Sequence, residues 1–182
     1  MLKDAFDSYF KKLENYWRNK NNSFPKVPYR KTIDANLIQL NTLKNGYVQW
    51  MPKLQNDIIN IDEVQMHIGQ KIHPEIFQYF TTYWFLSLRG MIANVEIELY
   101  AIPSNVDIIN QIKNGFNVGK KNFSDECVCF EIGNACIDED DSYLVYVDNY
   151  SCKVFAVEFN TNKSVGISES LFDLLKRLDV NF

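Results

Sequence analysis

The chain has 182 residues, 46% of them hydrophobic and 14% aromatic, which is enough for one packed core and excludes a disordered protein. No apolar run reaches the roughly 18 residues of a membrane span, and Met1-Leu2-Lys3-Asp4 lacks the charged-then-apolar layout of a signal peptide, so the expectation is a cytoplasmic protein with free thiols. The net charge is −4, but residues 1–60 carry ten Lys and Arg against five Asp and Glu, whereas 61–182 carry nine against eighteen; that acidic excess disfavours direct contact with nucleic acid or anionic lipid and suits a basic protein partner.

No repeat, low-complexity tract or Gly/Ser linker divides the chain, so residues 1–182 are read as one domain. Leu2, Ala5, Phe6, Tyr9, Phe10, Leu13, Tyr16 and Trp17 recur at three- and four-residue steps and predict an amphipathic first helix, ended by Asn19 to Ser23. Pro25 and Pro28 hold the next stretch extended. Residues 36–43 and 46–51 read as two strands of a hairpin turning at Asn45-Gly46, since both turn residues tolerate positive φ. A short helix follows Asn60 and closes at Gly69, and Pro74 opens another that carries Ile76, Phe77 and Phe80. Residues 91–102 read as one strand, in which Val95, Ile97, Leu99 and Ala101 alternate with Asn94, Glu96, Glu98 and Tyr100; one face is dry and the other acidic. Ser104 or Asn105 is placed as the cap of a helix bearing Val106, Ile109, Ile112 and Phe116. Three strands follow, at about 127–132, 143–148 and 152–159, and Ser170-x-x-Asp173 opens a Leu-rich terminal helix. The sum is an α+β domain: an antiparallel sheet flanked by N-terminal, middle and C-terminal helices.

The residues offer little local catalytic chemistry. His67 lies four residues after Glu63 on one helical face, a surface-pair spacing. Cys127-x-Cys129 is not a zinc-knuckle spacing, and Cys136 and Cys152 supply no second one, so small core residues are the reading. The seven glycines never cluster into a phosphate-binding loop. No enzyme activity, cofactor or metal is expected. What remains is acidic. Glu96 and Glu98 share a strand face, and Asp138-Glu139-Asp140-Asp141 places four carboxylates before the strand at Tyr143, without the ligand spacing of a calcium loop. These six residues are the candidate protein-binding set, a landing site for a basic partner.

Ile72-His73-Pro74-Glu75-Ile76-Phe77-Gln78-Tyr79-Phe80-Thr81-Thr82 resembles a pattern of the Syd family of SecY-interacting proteins, within the SUKH superfamily: Ile-x-Pro-x-Ile, then aromatics and Thr-Thr. Trp50-Met51-Pro52, Tyr16-Trp17 and Ser23-Phe24-Pro25 are similar to family features, and so is the order of elements. The resemblance implies an α+β fold without catalysis. It also implies peripheral docking on the cytoplasmic face of the inner membrane, through an acidic concave surface that meets the basic cytoplasmic loops of SecY. The superfamily's other common use, immunity, implies an alternative: neutralisation of a toxin domain. The bulky Tyr83-Trp84-Phe85-Leu86 and the four-carboxylate run depart from the family pattern and point toward that alternative.

Overall fold

The apolar stripe at the start of the chain folds as its spacing predicts. A computed structural model describes residues 1–39, 45–123, 128–138 and 140–180, with backbone alone for 140–142. Its first element, α1 (Leu2–Asn21), buries Leu2, Ala5, Phe6, Tyr9, Phe10 and Leu13. Lys3–Asp7 (2.7 Å) and Glu14–Arg18 (2.6 Å) pair one turn apart on its wet side, and Asn22 ends it in the left-handed region, at φ 46°.

The next region corrects the sequence reading. The stretch after Pro25 is a strand, β1 (Lys26–Pro28), paired antiparallel with β2 (Tyr47–Gln49). Asn36 and Leu37, expected to begin a strand, belong instead to a single 3-10 turn (Ala35–Leu37), because the Asp34 carboxylate accepts the Asn36 N–H and tightens the backbone. Strand-like pairing does occur just beyond it: Ile38 bridges Trp50, and the Gln39 N–H donates to the Gln49 carbonyl (2.9 Å). Asn45 and Gly46 both have positive φ, 53° and 77°, as the turn requires; the rest of the expected strand, 40–43, lies outside the described residues. β3 (Lys53–Leu54) pairs with β4 (Tyr83–Trp84).

Between these two strands lie α2 (Ile61–Ile68), capped by Asn60 and closed by Gly69, and α3 (Pro74–Thr81). α3 is fastened at both ends. At its start the His73 Nδ1 accepts the Glu75 N–H (3.2 Å), and the His73 N–H donates to the side chain of buried Asn149 (2.9 Å). Asn149 also donates to the Lys71 carbonyl (2.8 Å), and Glu75 accepts the Phe172 N–H (2.5 Å). At its end the buried Gln55 donates to the carbonyls of Phe80 (2.7 Å) and Tyr83 (3.0 Å). Ile72, Ile76, Tyr79 and Phe80 are buried between those fastenings.

The expected single strand at 91–102 is a hairpin, β5 (Leu88–Ile92) and β6 (Val95–Leu99), turning at Ala93 (φ 52°) and Asn94. The alternation that reads as one strand, Asn94 to Ala101, lies on the β6 side of the turn; across the two-residue turn the phase reverses, the buried positions passing from Leu88, Gly90 and Ile92 to Ile97 and Leu99. The following helix, α4 (Ile108–Asn122), starts at Asp107, whose side chain accepts the Asn110 N–H (2.9 Å), and not at Ser104 or Asn105. Ser104 is engaged elsewhere. Its N–H donates to Asp34 (2.5 Å), and its hydroxyl accepts from the Asn36 side chain (2.8 Å). Val106 is accordingly exposed, while Ile108, Ile112 and Phe116 are buried.

Four strands follow instead of three: β7 (Cys129–Ile137), β8 (Asp140–Asp148), β9 (Val154–Glu158) and β10 (Ser164–Ser168). The last is short, with serine at both ends and a central glycine, so it carries little strand propensity and is held by pairing with β9. The terminal helix α5 (Leu171–Arg177) begins where expected, the Ser170 hydroxyl accepting the Asp173 N–H (3.0 Å).

Among the described residues the main sheet runs β10-β9-β8-β7-β6-β5, antiparallel throughout. One face carries Leu88, Ile97, Leu99, Val145, Val147 and Ala156 into a single core with α1, α3 and α5. β6 pairs only with residues 133–137 of β7, and α4 covers the remaining length of that edge. Gly119 permits this, because a Cβ there would collide with the Cys129 carbonyl oxygen. The other sheet face looks away from the main core, and β5, β6, β7 and the end of α4 frame it.

Candidate functional site

Side chains alternate along β6, so Ile97 and Leu99 are fully buried whereas Glu96 is exposed and Glu98 half-buried on the outer face. The register sets their neighbours. Glu98 lies opposite Arg89 on β5 and Asn134 on β7, and Glu96 opposite Met91 and Cys136. Arg89 and Glu98 form an ion pair of 2.6 Å. The two glutamates therefore share a face, as expected, but an internal cation already neutralises one of them.

β7 brings a third carboxylate to this face. Glu131 accepts a hydrogen bond on each oxygen, from the Tyr100 hydroxyl (3.0 Å) and the Tyr146 hydroxyl (3.2 Å). Asn122, at the end of α4, donates to Tyr146 (2.8 Å). Desolvation pushes the Tyr146 phenol up to about 12, with the Glu131 charge adding to the shift. Desolvation, reinforced by Glu131, raises Tyr100 as well. Both phenols thus stay neutral donors at ordinary pH. Behind them the Tyr146 ring packs edge-on against Phe123 (4.9 Å between centroids) and near-parallel to Phe155 (6.0 Å), in a small second cluster with Cys129 and Val157. Sequence reading missed Glu131. The available signal was a lone acid within the apolar run Val128-Cys129-Phe130-Glu131-Ile132.

Two hollows flank this face. A groove of about 610 Å³ runs between α1, β1 and the β5–β6 hairpin, lined by Trp17, Val27, Trp50, Arg89, Glu96 and Glu98, with Lys26 and Arg30 also on its wall. A smaller hollow of about 240 Å³ lies where α4 meets β6 and β7. Ala101 lines both, so they adjoin.

The acidic run is only partly described. Asp138 is exposed in the β7–β8 turn at φ 52°, two residues beyond the Cys136 that faces Glu96. Glu139 lies outside the described residues. Asp140 and Asp141 begin β8, and only their backbone is described. The topology thus places Asp138 at the same end of the sheet as Glu96.

Other candidates resolve into structural roles. His67 and Glu63 are exposed on α2, and His73 caps α3. Cys129 and Cys152 are buried and Cys136 is half-exposed, all as free thiols, whereas Cys127 is outside the described residues. Burial pushes the Cys152 thiol up to about 12, with the neighbouring Glu75 contributing. Among the described residues no group of three His, Cys, Asp or Glu side chains stands close enough to hold a metal ion, and no helix is long and apolar enough to cross a membrane.

Comparison with curated proteins gives no match. The family model described as Syd protein (SUKH-2) matches residues 3–179, nearly the whole length, and the chain belongs to that family.

Proposed function

We propose that this chain is a non-catalytic binding module that docks on the basic cytoplasmic loops of SecY through the outer face of β6 and β7. The observation that carries this reading is the gathering of Glu96, Glu98 and Glu131 on one open sheet face beside a groove walled by Trp17 and Trp50. A carboxylate face attracts a basic loop, while half-buried Trp17 on the groove wall supplies apolar anchoring area that charge alone lacks. Asp138, at the Glu96 end of the sheet, extends the acidic landing area, and Glu139, Asp140 and Asp141 follow it in the sequence. On this reading the protein works at the cytoplasmic face of the inner membrane, held there by its protein partner.

The test is affinity capture of the tagged chain from detergent-solubilised host lysate at low and moderate salt. SecY should be recovered at low salt and lost as salt rises, since the attraction is screened. Equal recovery by the double variant Glu96→Lys/Glu98→Lys would place the interface elsewhere. Recovery of one toxin-like protein that survives salt would replace this reading with immunity. Of the bulky Tyr83–Leu86 stretch, Phe85 and Leu86 are buried in the core, while Tyr83, whose ring packs edge-on against Phe10 (5.1 Å), and Trp84 are half-buried.

A further inference from the structure

The carboxylates of the outer face differ in how their charge is used. Glu98 is paired with Arg89 at 2.6 Å, so an incoming cation must displace a resident one. Glu131 has no cationic partner among the described residues; two tyrosine hydroxyls hold it in one orientation, one on each oxygen. A carboxylate offers about four lone-pair sites, so two acceptor sites of Glu131 remain. Beside it is the smaller hollow, walled by Phe80, Val118 and Ile132 along with polar Gln111 and Asn114, with Tyr100 39% exposed at its rim. At about 240 Å³ it is smaller than the roughly 300–1,000 Å³ pockets that hold drug-sized ligands, and suits one long side chain.

Resting on the docking reading above, we infer that this hollow is an anchoring pocket for a single arginine side chain of the basic partner, with Glu131 receiving the guanidinium. The chemistry selects arginine over lysine. The aliphatic stem lies along apolar walls. The planar head matches the two remaining acceptor sites of a fixed carboxylate and stacks against aromatic surface such as Tyr100, whereas an ammonium is a compact, strongly hydrated point charge. Gly115 keeps the floor low, since a side chain there would press on the Glu131 carbonyl at 3.0 Å. The tyrosine bonds pre-orient the carboxylate, so little ordering is left for the moment of binding.

The experiment titrates the protein with synthetic peptides of the SecY cytoplasmic loops from the same host, each arginine in turn replaced by neutral, near-isosteric citrulline. One position should lose about 30-fold in affinity, a hot-spot loss, and its replacement by lysine should lose most of that. In Glu131→Gln the same position should cease to matter while the other positions keep their wild-type effects. Val118→Phe, a change at the exposed rim that leaves Glu131 and the core in place, should block the pocket and give the same flattened scan. If Glu131→Gln and Val118→Phe, both folded by thermal melting, retain the wild-type scan, the pocket is wrong. The docking reading then survives, provided Glu96→Lys/Glu98→Lys still weakens the peptide. If no loop peptide binds the wild-type protein, both fall together.

Discussion

The stretch Ile72–Thr82 and the outer face of β6 and β7 are contrasting parts of the same molecule. The first carries the sharpest sequence pattern, and almost all of it is spent on internal fastening. Ile72, Ile76, Tyr79 and Phe80 fill the core, His73 and Pro74 start α3, Glu75 holds the start of α5, and the Thr81 and Thr82 hydroxyls donate to the Phe77 (2.8 Å) and Gln78 (2.6 Å) carbonyls at its end. The second carries no contiguous motif. It is built from Glu96 and Glu98 on β6, Tyr100 just beyond it, Glu131 on β7 and Tyr146 on β8, which meet only through register and side-chain bonding. The contrast teaches that a family's most recognisable segment can be the joint that fixes the fold, while the surface that meets a partner leaves a dispersed trace.

Substitutions in the joint should therefore cost stability and spare binding, and those on the face should do the reverse. The largest effect is expected from Asn149→Ala. It leaves the His73 N–H and the Lys71 carbonyl without the buried side chain that joins them, at a part-buried site, and at about 1–3 kcal/mol per orphaned group the loss should be ~3 kcal/mol in urea unfolding. Capture of the partner by the fraction that stays folded should be unchanged; a loss of capture without loss of stability would break the comparison. Next comes Glu96→Lys/Glu98→Lys. It should weaken partner binding about tenfold, ~1.4 kcal/mol, yet move the unfolding midpoint little, because the resident Arg89–Glu98 pair is open to solvent on its Arg89 side and surface pairs contribute about 1 kcal/mol or less. His73→Ala removes the side-chain cap of α3 and should cost ~1 kcal/mol, again read in urea and without effect on binding.

The smallest effect concerns the face through its tyrosines. The Tyr146 phenol sits at about 12 in the folded chain against 10.0 for an ordinary tyrosine. A value raised on folding means that its stability contribution is complete below pH 10 and is lost as pH climbs toward 12, where the unfolded chain ionises first. Tyr146→Phe should flatten that part of the alkaline stability profile and leave the profile at neutral pH without a slope of its own. Phenolate absorbance followed beside circular dichroism checks it; an identical alkaline limb in both proteins would remove Tyr146 from the account.

Local chemistry made several elements legible in the sequence alone. α1 was written in its three- and four-residue apolar spacing, α2 and α3 in Asn60, Gly69 and Pro74, and α5 in Ser170. All are signals between residues a few positions apart. The α+β class, the dry and acidic faces of β6, and the shared face of Glu96 and Glu98 also followed from periodicity. Tertiary structure decided whatever depended on distant partners. Asp34 claimed Ser104 across the fold and so moved the start of α4 to Asp107. Pairing with β9 made a strand of the weak Ser164–Ser168 segment. The turn at Ala93-Asn94 carries none of the Asn-Gly chemistry that marks Asn45-Gly46, so only the pairing of β5 with β6 reveals it. Arg89 reached Glu98 across a strand pair, and Tyr100 and Tyr146 found Glu131 from three different strand positions. The physical reason is the same in each case: a side chain's charge and alternation are properties of the local chain, but which groups satisfy or neutralise it depends on the sheet register, and register is set by the whole core.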